Sequence, residues 1–201
     1  TKAASKAAQN TGQPQYVDAL HDETKKAHSA VADLLSAALG LNTAELNEIT
    51  DQVGAEAARL QVGAAPAGAY SDYVEQLQSA AKTLNAAVSS VVSSAKINPK
   101  GLGVSSKMTA AAVPPFVDAA NFTASATKDK KSQMAIISEA KAATNETAAL
   151  LQIAKDVAAT GDGNNPELAA TAAAVNEAIT RLLNAAAPGR REMLEAQALL
   201  S

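Results

Sequence analysis

The chain has 201 residues, 47% apolar but only 2% aromatic, with a formal net charge of -3 from 17 basic and 20 acidic side chains. That length suffices for one domain with its own core. The lack of cysteine excludes disulfides, thiolate metal sites and thiol nucleophiles, and the slightly acidic balance leaves no basic face able to hold a polyphosphate backbone, so no nucleic-acid partner is expected.

An apolar fraction supplied by Ala, Val, Leu and Ile must pack by close approach. Helices allow this best, because Ala is the strongest helix former and lets helix axes come near. Most of the glycines and prolines fall in clusters at 12–14, 40, 63–68, 99–103, 161–166 and 188–189, and these cut the chain into long segments of helical period.

Residues 1–15 are a flank. Its sequence TKAASKAAQNTGQPQ lacks the apolar middle of a signal peptide. No apolar run anywhere approaches the roughly 18 residues of a membrane span, so a cytoplasmic location without membrane contact is expected. The first predicted helix, 16–39, carries Leu20, Thr24, Ala27, Val31, Leu34, Leu35 and Ala38 on one stripe. His21 and His28 lie on it beside Asp22 and Glu23, but seven helical residues separate them by about 10 Å, too far to share an ion held by bonds near 2 Å. A second helix is predicted at 43–61.

The third, 70–97, has the clearest stripe: Leu77, Ala81, Leu84, Val88, Val91 or Val92, and Ala95 step by threes and fours, while Gln78, Lys82, Asn85, Ser89 and Ser93 fall away. Ser71 and Asp72 are its expected caps. The KGLG run at 100–103 reads as a loop. In the next helix, 104–127, Val113, Pro114 and Pro115 should bend or interrupt the element, since each proline removes an amide donor.

Lys128, Lys130 and Lys131, broken by Asp129, read as a solvated helix start, with a contact to actin or acidic lipid as the lesser alternative. Helix 129–160 follows, with Ile136, Ala140, Ala143, Thr147, Leu150, Leu151 and Ala154 on its stripe. Asp162, Asn164 and Asn165 lack the following bidentate Glu of a calcium loop and read as a turn. Asn165 and Pro166 should start helix 166–187, which carries Leu168, Ala172, Val175, Ile179, Leu182, Leu183 and Ala186. Residues 190–201 open a further helix.

Nothing in the chain alternates like a strand. A helix of about 25 residues cannot hide an apolar stripe alone, so the expected fold is all-α: an antiparallel up-and-down bundle of about five long helices plus a flanking helix. The expected division is a flank at 1–15, a bundle at 16–188 and the start of a following helix at 189–201, with either 16–39 or 43–61 as the first bundle helix. There is no ExxH pair, GxSxG, HExxH or phosphate-loop signature. No enzyme activity, cofactor, metal or small-molecule substrate is expected.

The segment LQSAAKTLNAAVSSVVSSA, Leu77 to Ala95, resembles the vinculin-binding helices of the talin family, whose pattern is LxxAAxxVAxxVxxLIxxA. Leu77, Ala80, Ala81, Val88, Val92 and Ala95 fall on matching or near-matching positions, Leu84 and Val91 are conservative changes, and Asn85 departs where the pattern has Ala. Ile136 to Ala154 is similar but carries Glu139 and Thr147 where the pattern has Ala and Val. Leu168 to Ala186 departs at Thr171 and Asn176. From about residue 66 onward the order of parts, including the proline-bearing helix and the Ala187-Pro188-Gly189 junction, also resembles a five-helix talin rod subdomain; the first 65 residues do so loosely.

The resemblance implies a load-bearing segment of an adaptor linking adhesion receptors to actin at cell–matrix contacts. It also implies helices that recruit vinculin when force exposes them. In that picture Leu77, Ala80, Ala81, Leu84, Val88, Val91, Val92 and Ala95 form the binding face, with the stripes at 136–154 and 168–183 as secondary candidates. The tryptophan of the family's C-terminal actin-binding module is missing, because the chain contains none. The competing readings are a bundle that binds another partner on its folded surface and an amphipathic lipid-binding bundle, which the low aromatic content disfavours. A long parallel coiled coil is excluded by the prolines.

Overall fold

The computed structural model describes Thr24, Lys26, residues 43–64 and residues 67–198. The chain forms two compact units, Thr1–Gly40 and Leu41–Ser201. In the first, Thr24 and Lys26 are helical; the rest of the predicted helix 16–39, including His21 and His28, lies outside the described residues.

The described part of the second unit is built from five α-helices: α1 (Thr43–Ala58), α2 (Tyr70–Ile97), α3 (Leu102–Ala126), α4 (Lys130–Thr160) and α5 (Pro166–Ala198), with a 3-10 turn at Pro99–Gly101. No described residue is in a strand. The fold is an all-α up-and-down bundle. Helices α2, α3, α4 and α5 form a ring in which each packs on the next and α5 closes onto α2, while α1 lies in the groove between α3 and α4. Of the two candidates for the first helix, the segment at 43–61 therefore supplies the one seated in this unit.

Cross-links between helices give the directions. Thr123 donates to the Tyr73 carbonyl at 3.1 Å and Arg181 donates to Glu139 at 2.8 Å. Tyr70 donates to the Ala186 carbonyl at 2.8 Å. Each joins the start of one helix to the late part of its neighbour, or two near-middle positions across a short connection, as antiparallel packing requires. Helix α1 is antiparallel to α4, with Lys155 donating to Asn47 at 2.7 Å. It runs parallel to α3, because the chain leaving it follows α3 onward: Arg59 meets Asp118, the Gln61 amide donates to Asn121, and the Gly63 amide donates to Ser125.

The core is continuous through the ring. Leu77, Leu84, Leu102, Phe116, Ile136, Leu150 and Leu182 are fully buried, and Val53 of α1 joins them. Alanines fill the space between, among them Ala95, Ala120, Ala140, Ala143, Ala154 and Ala178. Such small side chains allow close helix contact but remove less apolar area from water than leucine would.

Several local expectations are corrected. Of the two outcomes expected at Pro114 and Pro115, interruption does not occur: helix α3 runs unbroken through both. The two lost amide donors are outweighed by Val113, Phe116 and Val117, which are all buried around them. The helix also starts at Leu102, so Gly103 is helical and only part of KGLG is turn. Neither Ser71 nor Asp72 caps α2. The cap position is Ala69, with no side-chain bond, and both residues sit inside the first turn, where Asp72 suits the helix dipole. The backbone remains helical through Pro188 and Gly189, so a helix ending at 187 and another opening at 190 are one element. A single missing donor need not end a helix whose earlier turns are anchored in a core. Other expected starts hold: α4 opens beside the lysine run, where Asp129 proves to be its cap by accepting from the Lys131 and Ser132 amides, and Pro166 opens α5 while Asn165 accepts from the Glu167 amide.

Candidate functional site

The stripe of α2 points into the bundle. Leu77, Leu84, Val88, Val91 and Ala95 have no exposure and Ala81 has 1%, while Ala80 and Val92 are half-buried against the same core. Ala87 and Val74 extend the buried face. On α4, Ile136, Ala140, Leu150, Leu151 and Ala154 are buried, and on α5 so are Leu168, Ala172, Val175, Ile179 and Leu182, with Leu183 half-buried. Three helices thus carry their apolar pattern into one common core.

The ends of α2 are fastened. The Tyr70 hydroxyl bonds to α5, and the Tyr73 hydroxyl folds back to the Ala67 carbonyl at 2.8 Å. The latter needs Gly68 between them, since its φ of 155° and the nearness of the Tyr73 hydroxyl leave no room for a side chain. At the other end the turn after α4 crosses the last turn of α2. Gly163 sits so close to the Ala95 carbonyl that a methyl group there would overlap it. Asp162 and Asn165 are occupied within this turn, accepting from the Asn164 and Glu167 amides.

The charged groups hold surface structure. Arg59 bridges Glu56 and Asp118, and its bond to Glu56, then the charge of Asp118, raise its pKa further above the usual range. The Asp129 carboxyl is held below its ordinary value by the Ser132 hydroxyl and then by the Ser132 and Lys131 amides. Among the described residues no three His, Asp or Glu side chains converge as a metal site. No described helix is long and apolar enough to cross a membrane.

Two features escape the periodicity. Exposed Val104, Met108 and Phe122 line one outer face of α3, beside an open groove of about 680 Å³ between α2 and α3. Their spacing along the helix was a usable signal, but it was obscured by the prolines between them. The second is Asn85, whose side-chain oxygen is buried with no hydrogen-bond partner.

A bundle whose regular apolar faces are consumed by its own core is a structural helical domain. Residues 28–198 match the family model for the Talin 1-like rod segment domain, and the chain belongs to that family. It is a helical bundle of the cytoskeletal-adaptor type, acting through protein partners. Comparison with curated proteins finds no match.

Proposed function

We infer that this bundle is a load-bearing segment linking adhesion receptors to actin at cell–matrix contacts, and that α2 is a vinculin-binding helix available only after release. The observation that carries this reading is the double use of one stripe. Leu77, Ala81, Leu84, Val88, Val91 and Ala95 follow the docking pattern and are all buried at 1% exposure or less. A helix cannot give the same face to its own core and to a partner's groove, so docking must wait for unpacking. The stripes of α4 and α5, buried in the same way, are secondary candidates.

The test is co-elution of the chain with the isolated vinculin head, at room temperature and after warming to just below the melting transition. A complex formed only after warming, and lost with Leu84→Ala combined with Val88→Ala, is expected. No complex after verified partial unfolding removes the vinculin assignment.

A second reading, a protein docked on the folded surface, is favoured by exposed Val104, Met108 and Phe122 on α3. The same experiment separates it. A room-temperature complex that warming does not strengthen, and that Met108→Glu abolishes, points to that surface.

A further inference from the structure

We propose that Asn85 is a built-in release element, a side chain that favours departure of α2 from the packed bundle. Its Oδ1 is buried without a hydrogen-bond partner. The two tyrosines of the same helix are satisfied: Tyr70 and Tyr73 both donate to carbonyls at 2.8 Å.

The place of the defect matters. Asn85 lies one turn after buried Ala81 and one turn before buried Val88. It is also two turns before Val92, which lines a small surface pocket together with Leu168 and Ala169 of α5. Asn85 therefore sits on the flank of α2 that meets α5. A polar atom stripped of water there lacks what water would supply, and it recovers that hydrogen bond when the seam opens. Burial of Leu84 and Val88 holds the helix in, and Asn85 opposes them on the same two turns.

This inference takes its biological meaning from the docking role proposed for α2, but its test needs no partner. The measurement is hydrogen exchange and thermal unfolding of the whole chain carrying Asn85→Ala, beside Ser89→Ala. Ser89 is exposed on the same helix, so its substitution reports the gain in helix propensity alone. Asn85→Ala is expected to raise Tm by about 2–8 °C, more than Ser89→Ala does. It is also expected to slow exchange of α2 amides about tenfold while those of α4 change much less.

A Tm no higher than that of Ser89→Ala overturns the proposal. So does an equal slowing in α2 and α4, which would make Asn85 a general defect with no bearing on α2. Failure of the vinculin head to bind the warmed wild-type chain leaves both readouts intact and counts only against the docking role.

Discussion

Ser106 is fully buried in α3 and its hydroxyl has no partner, whereas Ser105 and Thr109 bond to carbonyls of their own helix at 3.0 and 2.8 Å. Thr144 and Thr147 likewise turn inward to the Ala140 and Ala143 carbonyls. A bonded hydroxyl in a core is tolerated; an unbonded one is a net loss. Ser106→Ala is therefore expected to raise the urea midpoint, by a stabilisation of about 1 kcal/mol with an unchanged slope. A lower midpoint would show that the hydroxyl fills space the core needs. Leu84→Ala works in the opposite direction, with a loss of about 2–5 kcal/mol depending on how far its neighbours close in, read from the same denaturant curves. The burial of Leu84 and Thr147 was legible from their place on a stripe of threes and fours. The orphaned oxygen of Asn85 was not, because satisfaction of a polar group depends on what a different helix places opposite it.

Helix α4 shows how far local chemistry sets an element. Asp129 accepts from the Lys131 amide at 3.2 Å and from the Ser132 amide at 2.8 Å, which anchors the first turn. Because the Ser132 hydroxyl, and then these amides, favour the ionised carboxylate, its folded-state pKa is depressed. The cap's contribution is thus complete above the pKa of the unfolded chain and is lost as pH falls through the lower folded value. Asp129→Asn is expected to flatten that acid-side loss, measured as Tm against pH; an unchanged profile would put the acid sensitivity elsewhere. The turn that follows α4 is equally specific. Gly163→Ala should lift the turn from the Ala95 carbonyl, with a destabilisation of about 1–3 kcal/mol and faster amide exchange in the last turn of α2. If exchange there is unchanged, the turn does not hold that end. The glycines at 161–163 and the Asn165–Pro166 pair made the end of α4 and the start of α5 readable. Pro188 misled, since one missing donor does not end a helix whose earlier turns, up to Ala186, are buried, and no local pattern reports that burial.

At the scale of the molecule, the all-α class was readable from periodicity, but the seat of α1 was not. Its stripe of Leu46, Ile49 and Val53 is short, and the connection that follows is long enough to lead to more than one groove. The structure places α1 against α3 and α4, and its direction has a mechanical consequence. Helices α1, α3 and α5 run one way and α2 and α4 the other, so Thr43 begins at one end of the bundle and α5 finishes at the opposite end. Tension applied through these ends loads the helices in shear along their axes, and the apolar seams must slide together before any helix escapes. Once they do, residues 43–198 lengthen from about 45 Å to about 500 Å, and modest tension then opposes refolding strongly. Stretching single chains through their ends is expected to give abrupt extension and, on relaxation, refolding that the vinculin head blocks by occupying α2. The block should disappear with Leu84→Ala combined with Val88→Ala while abrupt extension persists at lower force, because those residues serve both the core and the proposed partner. Refolding that proceeds equally with and without the vinculin head would leave the bundle as a mechanical spacer and remove α2 as a binding helix.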